Sequence, residues 1–474
     1  MEFFSIAALC VRLEVPYRAA MLNAIWLAML LVAVLVAAFT GRLPEVTAGA
    51  FEGAEKAVMK VALPLLGVWA IWLGIMRLAE RSGLVQVLAA ALRPLMRWLF
   101  PEVPADHPAI GAIVMNMAAN MLGLGNAATP LGLRAMRLLE SLNPRPGVAT
   151  NAMCTFLAIN TASIQLLPLT AIGILVTAGA KGATAIVITA FLATVCAATS
   201  GVLAAKFLER LPMFRADAGP AESPPAKDAE AAPADALELE KVELRQFTAL
   251  HRVWIALFFV AFVAAFFLLW QPGLLTSIHA GWTAPPAPKE LADKSAGIRA
   301  LMSVSLLAIP FLLSFFPLYA AMRGVKVYEQ FVEGAKEAWG TAQRTVPYLV
   351  AMLVAIGMLQ KAGVIDLLTR ALSPALNKIG FPAELVPMVL MRPLSGSATN
   401  GLFIDLVQRL AEPDGFISRL AGTIYGSTET TFYVLAVYFG SVSIRRTRHA
   451  VVAGLTADTV AVIASTVFCT LLFK

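Results

Sequence analysis

The chain has 474 residues, 59% of them hydrophobic and 14% charged, against about 25% charged in an average soluble protein; its mean hydropathy is +0.76. So much apolar surface excludes a cytosolic enzyme, a disordered scaffold and a nucleic-acid binder. The net charge of +7, from 37 basic and 30 acidic residues, reads as the Lys/Arg excess of cytoplasmic loops. The expected fold class is an all-α polytopic membrane protein whose first partner is the lipid bilayer. Cys10, Cys154, Cys196 and Cys469 lie far apart in mostly apolar stretches, so neither a disulfide framework nor a zinc site is expected, and no cofactor.

Residues 1–20 carry Glu2 where a signal peptide would be basic, and no small-residue cleavage site follows. They are read as an over-called start or an interfacial helix. Ala24–Phe39 is wholly apolar, and further spans are expected near 58–76, 150–177, 184–208, 252–270, 300–321, 346–360, 418–440 and 450–473. Two other apolar stretches, 108–140 and 383–411, are interrupted by Gly123, Gly125, Asn126, Thr129 and Pro130 and by Ser395, Gly396, Ser397, Thr399 and Asn400. Irregular backbone at membrane depth needs protein or a water-filled cavity to satisfy it, so both are read as re-entrant helical hairpins. Residues 212–250 hold five prolines and eight of the 30 acidic residues, the composition of a flexible linker. The loop 271–298, with Trp282, Pro285, Pro286 and Pro288, reads as a surface connection or an interfacial anchor.

The two sides of the linker repeat one another. Phe51–Ala54 corresponds to Val332–Ala335, 281 residues later, and Phe100-Pro101 to Phe381-Pro382 at the same offset; Leu92-Arg93-Pro94 matches Leu372-Ser373-Pro374, and Pro64 and Gly74 are spaced like Pro347 and Gly357. The basic loop Arg445–His449 is expected in the cytoplasm. The unpaired span at 252–270 would flip the second half relative to the first, an arrangement common in secondary transporters.

Several strings carry a family resemblance. Asn116-Met117, Gly123–Leu133 (GLGNAATPLGL) and Asn151–Thr161 (NAMCTFLAINT) resemble spore maturation protein A. Phe331–Lys336 (FVEGAK), Pro347–Gly357 (PYLVAMLVAIG), Met391–Ser397 (MRPLSGS), Gly426–Tyr433 (GSTETTFY) and Arg448–Ala450 resemble spore maturation protein B. The chain therefore looks like a fusion of the two, within the nucleoside-recognition or gate domains. The resemblance implies two inverted repeats, each with a re-entrant hairpin, as in elevator folds of the concentrative nucleoside transporter kind. It divides the chain into a first gate repeat (21–211), the cytoplasmic linker (212–250), an extra span and polar loop (251–299) and a second gate repeat (300–474). It implies a multi-pass protein of the bacterial inner membrane with a transport role, assembling as a homo-oligomer, and it does not imply a substrate. Where the family usually continues with glycine and alanine after Ser397, this chain has Ala398-Thr399-Asn400, which puts any family substrate in doubt.

Glu429, among Ser427, Thr428 and further threonines in an otherwise apolar stretch, is the leading functional residue, because a carboxylate at membrane depth suggests a functional site. It reads as a coupling group or ligand contact, the plain alternative being a packing pair with Arg392. Asp458 and Asp405 are further acidic residues at depth, Asp458 being the second coupling candidate. Asn160, Thr161, Ser163 and Gln165 occupy the matching place in the first half, and could bind an uncharged solute or only bond between helices. The hairpin tips offer Asn126 and Thr129, and Ser395, Ser397, Thr399 and Asn400, with Asn116 and Asn120 one turn apart on the first arm. Half-helix N-termini at such tips would favour an anionic group. No Walker motif occurs, so uphill transport would need an H⁺ or Na⁺ gradient or a partner ATPase. The expected function is an ion-coupled secondary transporter of a small polar or anionic solute: a nucleoside, amino acid or carboxylate. A membrane scaffold or regulatory partner is the alternative, and no catalytic group, metal cluster or nucleic-acid surface is expected.

Overall fold

A computed structural model describes residues 17–104, 106–123, 125–214, 245–271, 291, 294–376, 378 and 380–474. The readings of residues 1–16, of most of the linker (215–244) and of the Trp282–Pro288 loop lie outside these. The described residues are helical, with one isolated bridge between Val148 and Arg446.

The first half contains α1 (Tyr17–Thr40), α2 (Leu43–Glu55), α3 (Leu63–Arg81), α4 (Leu84–Leu99), α5 (Pro108–Met121), α6 (Gly125–Glu140), α7 (Asn151–Ala162), α8 (Leu169–Thr177) and α9 (Ile186–Leu208). A seven-residue π-helical stretch, Lys56–Ala62, joins α2 to α3 without interruption. It immediately precedes Pro64, which has no N–H to donate into a regular turn. The second half contains α10 (Ala249–Trp270), α11 (Ala296–Met322), α12 (Val327–Lys361), α13 (Val364–Leu376), α14 (Val386–Met391), α15 (Gly396–Leu410), α16 (Phe416–Gly426), α17 (Thr431–Gly440) and α18 (Ala450–Phe473). Among the described residues, six stretches are long and apolar enough to cross a membrane: Leu43–Arg81, Ala183–Leu208, α10, α11, α12 and α18. The chain is a multi-pass membrane protein.

Two expected spans are not single helices. The stretch 150–177 divides into α7 and α8 around residues 163–168, and 418–440 divides into α16 and α17 around residues 427–430. In the first, Pro168 at the N-cap of α8 biases the residue before it away from helix, and Ser163 ends α7 with φ +41°. In the second, Gly426 ends α16 and the polar run Ser427–Thr430 follows.

Small residues fix how the halves meet. A Cβ at Gly53 would collide with the backbone of Leu353, one at Gly357 with the carbonyl of Gly49, and one at Gly334 would stand 2.5 Å from the carbonyl of Leu73. The α2–α3 run therefore lies antiparallel along α12 at backbone contact. The closing helices repeat the device. Gly201 of α9 faces Ala457 of α18, with Ala197, Ala198 and Ala205 opposite Ala461 and Ala453, also antiparallel. Without a hydrophobic drive in lipid, such close backbone approach supplies van der Waals contact that larger side chains would prevent. By contrast, α10 has no buried residue; it lies on α11 through Phe258, Phe259 and Phe262 against Phe311 and Phe315, ring centroids 5.2–5.8 Å apart.

Both sequence-predicted hairpins form helix–turn–helix pairs, α5 ending in a turn at residues 122–123 before α6 and α14–α15 turning at residues 392–395. Hydrophobic clusters surround each, one centred on Phe100, Phe156 and Phe439, the other on Phe403 and Leu65.

A candidate site where two helix breaks meet

The breaks are joined to each other and to the hairpins by main-chain hydrogen bonds. The amide of Glu429 donates to the carbonyl of Thr161 at 2.7 Å. Leu166 N–H donates to Met121 O at the end of the first hairpin arm, and Phe432 N–H to Pro393 O at the second tip, both at 3.0 Å. Each hairpin thus satisfies a backbone group that its half's broken helix leaves without an intrahelical partner. Gly426 packs on Pro168 so closely that a Cβ there would overlap the proline ring.

Arg392 organises the second break. It is 5% exposed, and one terminal nitrogen donates to the carbonyl of Tyr425 at 2.9 Å and to that of Thr428. Its guanidinium carbon lies 4.7 Å from the Tyr425 ring centroid. The expected packing pair with Glu429 does not form among the described ion pairs. The Tyr425 carbonyl at the end of α16 and the Thr428 carbonyl in the break take the guanidinium instead, because a helix C-terminus exposes acceptors that a cation satisfies well.

A pocket of about 90 Å³ opens beside these groups, lined by Gln165, Pro168, Thr170, Ala171, Arg392, Gly396, Tyr425, Gly426 and Glu429. It gathers Gln165 from the first break, Glu429 from the second and Arg392 from the second hairpin tip. Ser163 accepts from Gln165 at 3.4 Å, and Thr194 donates to the carbonyls of Ala162 and Ser163 at 2.7 and 3.3 Å. Ser395 caps α15 by accepting from Ala398 N–H at 3.2 Å, and Thr399 donates to Ser395 O at 2.7 Å. Ser397 is half-buried on the first turn of α15. Asn400 is buried and its carbonyl oxygen meets no donor among the described residues. Ser427 donates to Ile424 O at 3.0 Å. Thr428 is buried, its carbonyl held by Arg392.

The other expected site residues do not line this pocket. Asn120 donates to Asn160 Oδ1 at 3.0 Å, Asn116 to Ala128 O at 2.7 Å, Asn160 to Phe156 O at 2.9 Å, and Tyr438 O–H to Asn160 Oδ1 at 3.4 Å. This network ties the first hairpin to α7 and α17, although the side-chain oxygen of Asn116 meets no donor among the described residues. Thr129 is half-buried on α6, and the side chain of Asn126 lies outside the described residues. Asp405 pairs with Lys56 at 2.9 Å and accepts from Gln360, an interaction across 349 residues of sequence that composition could not show. A larger, more open cavity of about 630 Å³ lies at the loop end of the bundle among Glu102, Asn143, Arg145, Asn151, Glu209 and Arg448. Its Arg448 guanidinium is taken by the carbonyls of Phe214 and Ala149, and Glu102 accepts from Asn151.

The nucleoside-recognition (Gate) family profile matches residues 62–210 and 342–445, just over half of the chain and both breaks. The chain belongs to the gate family. It is also 46% identical over 170 residues to spore maturation protein B of Bacillus subtilis (strain 168), covering 36% of this chain and 95% of that protein. It is 39% identical over 183 residues to spore maturation protein A of the same organism, covering 39% of this chain and 93% of that protein. Likenesses of two separate proteins thus stand in one polypeptide, and both helix breaks and the α14–α15 tip fall inside the matched gate segments.

Proposed function

We propose that this gate protein is a secondary transporter, not an enzyme, of a small polar or anionic solute driven by an H⁺ or Na⁺ gradient. The observation that carries the reading is the pocket where the two breaks meet. It holds a cation, a carboxylate and an amide side by side, a donor and acceptor set suited to a carboxylate or amide group. At about 90 Å³ it is smaller than the ~300–1,000 Å³ typical of ligand sites, so a whole nucleoside or amino acid enters only if the α14–α15 tip moves away from Thr430. The backbone contacts support a pair of inverted repeats. Gly53 against Leu353 and Gly334 against Leu73 are equivalent contacts under the sequence repeat, and the two equivalent helices run antiparallel, as an axis in the membrane plane requires. The reading places the protein in the bacterial inner membrane as a homo-oligomer, with residues 212–250 and the Arg445–His449 loop in the cytoplasm. The hairpins then act as re-entrant gates, as in an elevator mechanism.

The bonded Asn116–Asn120–Asn160–Tyr438 network favours a second reading for the first half, in which its polar groups serve packing and the protein is a non-transporting membrane partner. Thermal-shift measurements on the purified protein separate the two. Nucleosides, amino acids and carboxylates are screened at pH 6 and 8, with Glu429→Gln alongside. Stabilisation by one class that Glu429→Gln loses supports transport; a panel that shifts neither protein supports the partner role.

A further inference from the structure

Asp458 stands mid-way along α18 and is 7% exposed. Its Oδ2 accepts from the Thr431 hydroxyl at 2.5 Å, while Oδ1 meets no donor among the described residues. One turn earlier on the same helical face, Gly454 leaves room for Thr161 and Thr431, whose side chains a Cβ there would crowd. The Thr161 hydroxyl is also fully buried and without a partner.

Charge makes this arrangement incomplete. No lysine or arginine pairs with Asp458 among the described ion pairs. The charged groups that act on it are Arg392 from the hairpin tip and Glu429 from the break, and they are opposite in sign. One terminal nitrogen of Arg392 is held by the carbonyls of Tyr425 and Thr428, and no hydrogen bond from Arg392 to Asp458 occurs among the described residues. The faces of α7 and α9 packed nearby present Ala162, Ala197 and Ala198, none of them titratable. A buried carboxylate is stable only when a positive charge and hydrogen bonds replace its hydration. A divalent ion would call for more carboxylates or imidazoles, and no group of three His, Cys, Asp or Glu side chains occurs among the described residues.

We propose that Asp458, Thr431 and Thr161 form a site for a monovalent cation, H⁺ or Na⁺, separate from the Arg392–Glu429 pocket and loaded through the second helix break. Thr431 opens α17 two residues after Glu429, so the route from the pocket to Asp458 is one turn of broken helix. That the cation couples to solute rests on the transport reading; that it binds does not.

The test is the melting temperature of the full chain without solute, at pH 6 and 8, in NaCl or choline chloride of equal ionic strength. A His449→Phe background removes the other buried titrating group near α18. The expected result is a rise of several degrees with Na⁺ at fixed pH, which assigns sodium, or on acidification without Na⁺ dependence, which assigns the proton. Asp458→Asn, which keeps an acceptor for Thr431, abolishes the rise, and Glu429→Gln retains it. Should Asp458→Asn not fold, Thr431→Val and Thr161→Val raise the cation concentration needed for half the effect by tenfold or more. A background protein indifferent to both ions, or an Asp458→Asn protein with the full response, overturns the proposal. Because no solute is present, neither outcome touches the solute screen that tests transport.

Discussion

The main-chain bond from Glu429 to Thr161, at 2.7 Å, ties the break in one half of the chain to the helix that precedes the break in the other. It uses the backbone of Glu429 and leaves its carboxylate facing the pocket with Arg392 and Gln165. Fold and chemistry are therefore carried by different atoms of the same residue.

Glu429 and Arg392 should accordingly behave differently when substituted. Glu429→Gln keeps the backbone bond and should change stability by less than about 1 kcal/mol. Arg392→Ala leaves the buried carbonyls of Tyr425 and Thr428 without their donor, which should cost about 1–3 kcal/mol for each group stranded. Arg392→Lys should recover only part of this, because an ammonium cannot reproduce the planar guanidinium's contact with the Tyr425 ring. Denaturant or thermal unfolding in detergent checks the order; a Glu429→Gln protein less stable than Arg392→Lys would make the carboxylate structural.

The glycine contacts between α2–α3 and α12 give a second prediction. Gly53→Ala and Gly334→Ala each press a methyl group onto backbone, which cannot swing aside, and should destabilise by about 1–3 kcal/mol. Gly67→Ala is the control. Nothing lies within 4 Å of a Cβ there, so the helix should gain up to about 1 kcal/mol. Equal effects at the three positions would refute the antiparallel backbone contact.

The two helix–turn–helix pairs and most long helices were legible in the sequence, because each rests on local pattern: the small polar runs at the tips, or the long apolar stretches of the spans. The breaks at 163–168 and 427–430 were not, since each is a short polar interruption inside a longer apolar stretch and hydropathy does not register backbone direction. Pro168 and Gly426 were the available signals, and their mutual contact gave no sign at a separation of 258 residues. Glu429, Arg392 and Gln165 were candidates from residue type alone, and three dimensions bring them to one pocket. The asparagines of the first hairpin were chosen by the same reasoning and donate elsewhere, Asn120 to Asn160 of α7 and Asn116 to the carbonyl of Ala128. Residue type shows that a polar group lies at depth; only its neighbours show whether its valences are already used.

The Lys56–Asp405 pair supplies a third prediction. Asp405 is almost fully buried, and Lys56 reaches it from the π-helical stretch before α3. Lys56→Met strands a buried carboxylate that Gln360 alone cannot neutralise, with Arg409 only at 3.9 Å, and should cost about 3 kcal/mol. Lys56→Met with Asp405→Leu removes both charges and should recover most of the loss, because the desolvation cost of the pair disappears with it. A double-mutant cycle by chemical unfolding measures the difference; additive losses would show that the two residues do not act as a pair.

His449 supplies the last prediction, a pH dependence. It sits at the N-cap of α18 outside the spanning segment, is fully buried, and neither ring nitrogen has a partner among the described residues. Burial first, then the charges of Arg448 and Lys206, push its pKa down from 6.5 to about 4. The unfolded chain therefore binds the proton more readily than the folded one between those values, so stability falls as pH drops through that window and is intact above it. The loss is at most about 3.5 kcal/mol, since each tenfold difference in proton affinity between the two states is worth about 1.4 kcal/mol. His449→Phe keeps an aromatic ring against Phe214, whose centroid lies 6.1 Å away, and has nothing to protonate. Its unfolding free energy should run flatter than wild type between pH 6.5 and 4, with the two proteins closest at pH 8. Parallel curves across that range would mean that the imidazole is reached by water and titrates as it does in the unfolded chain.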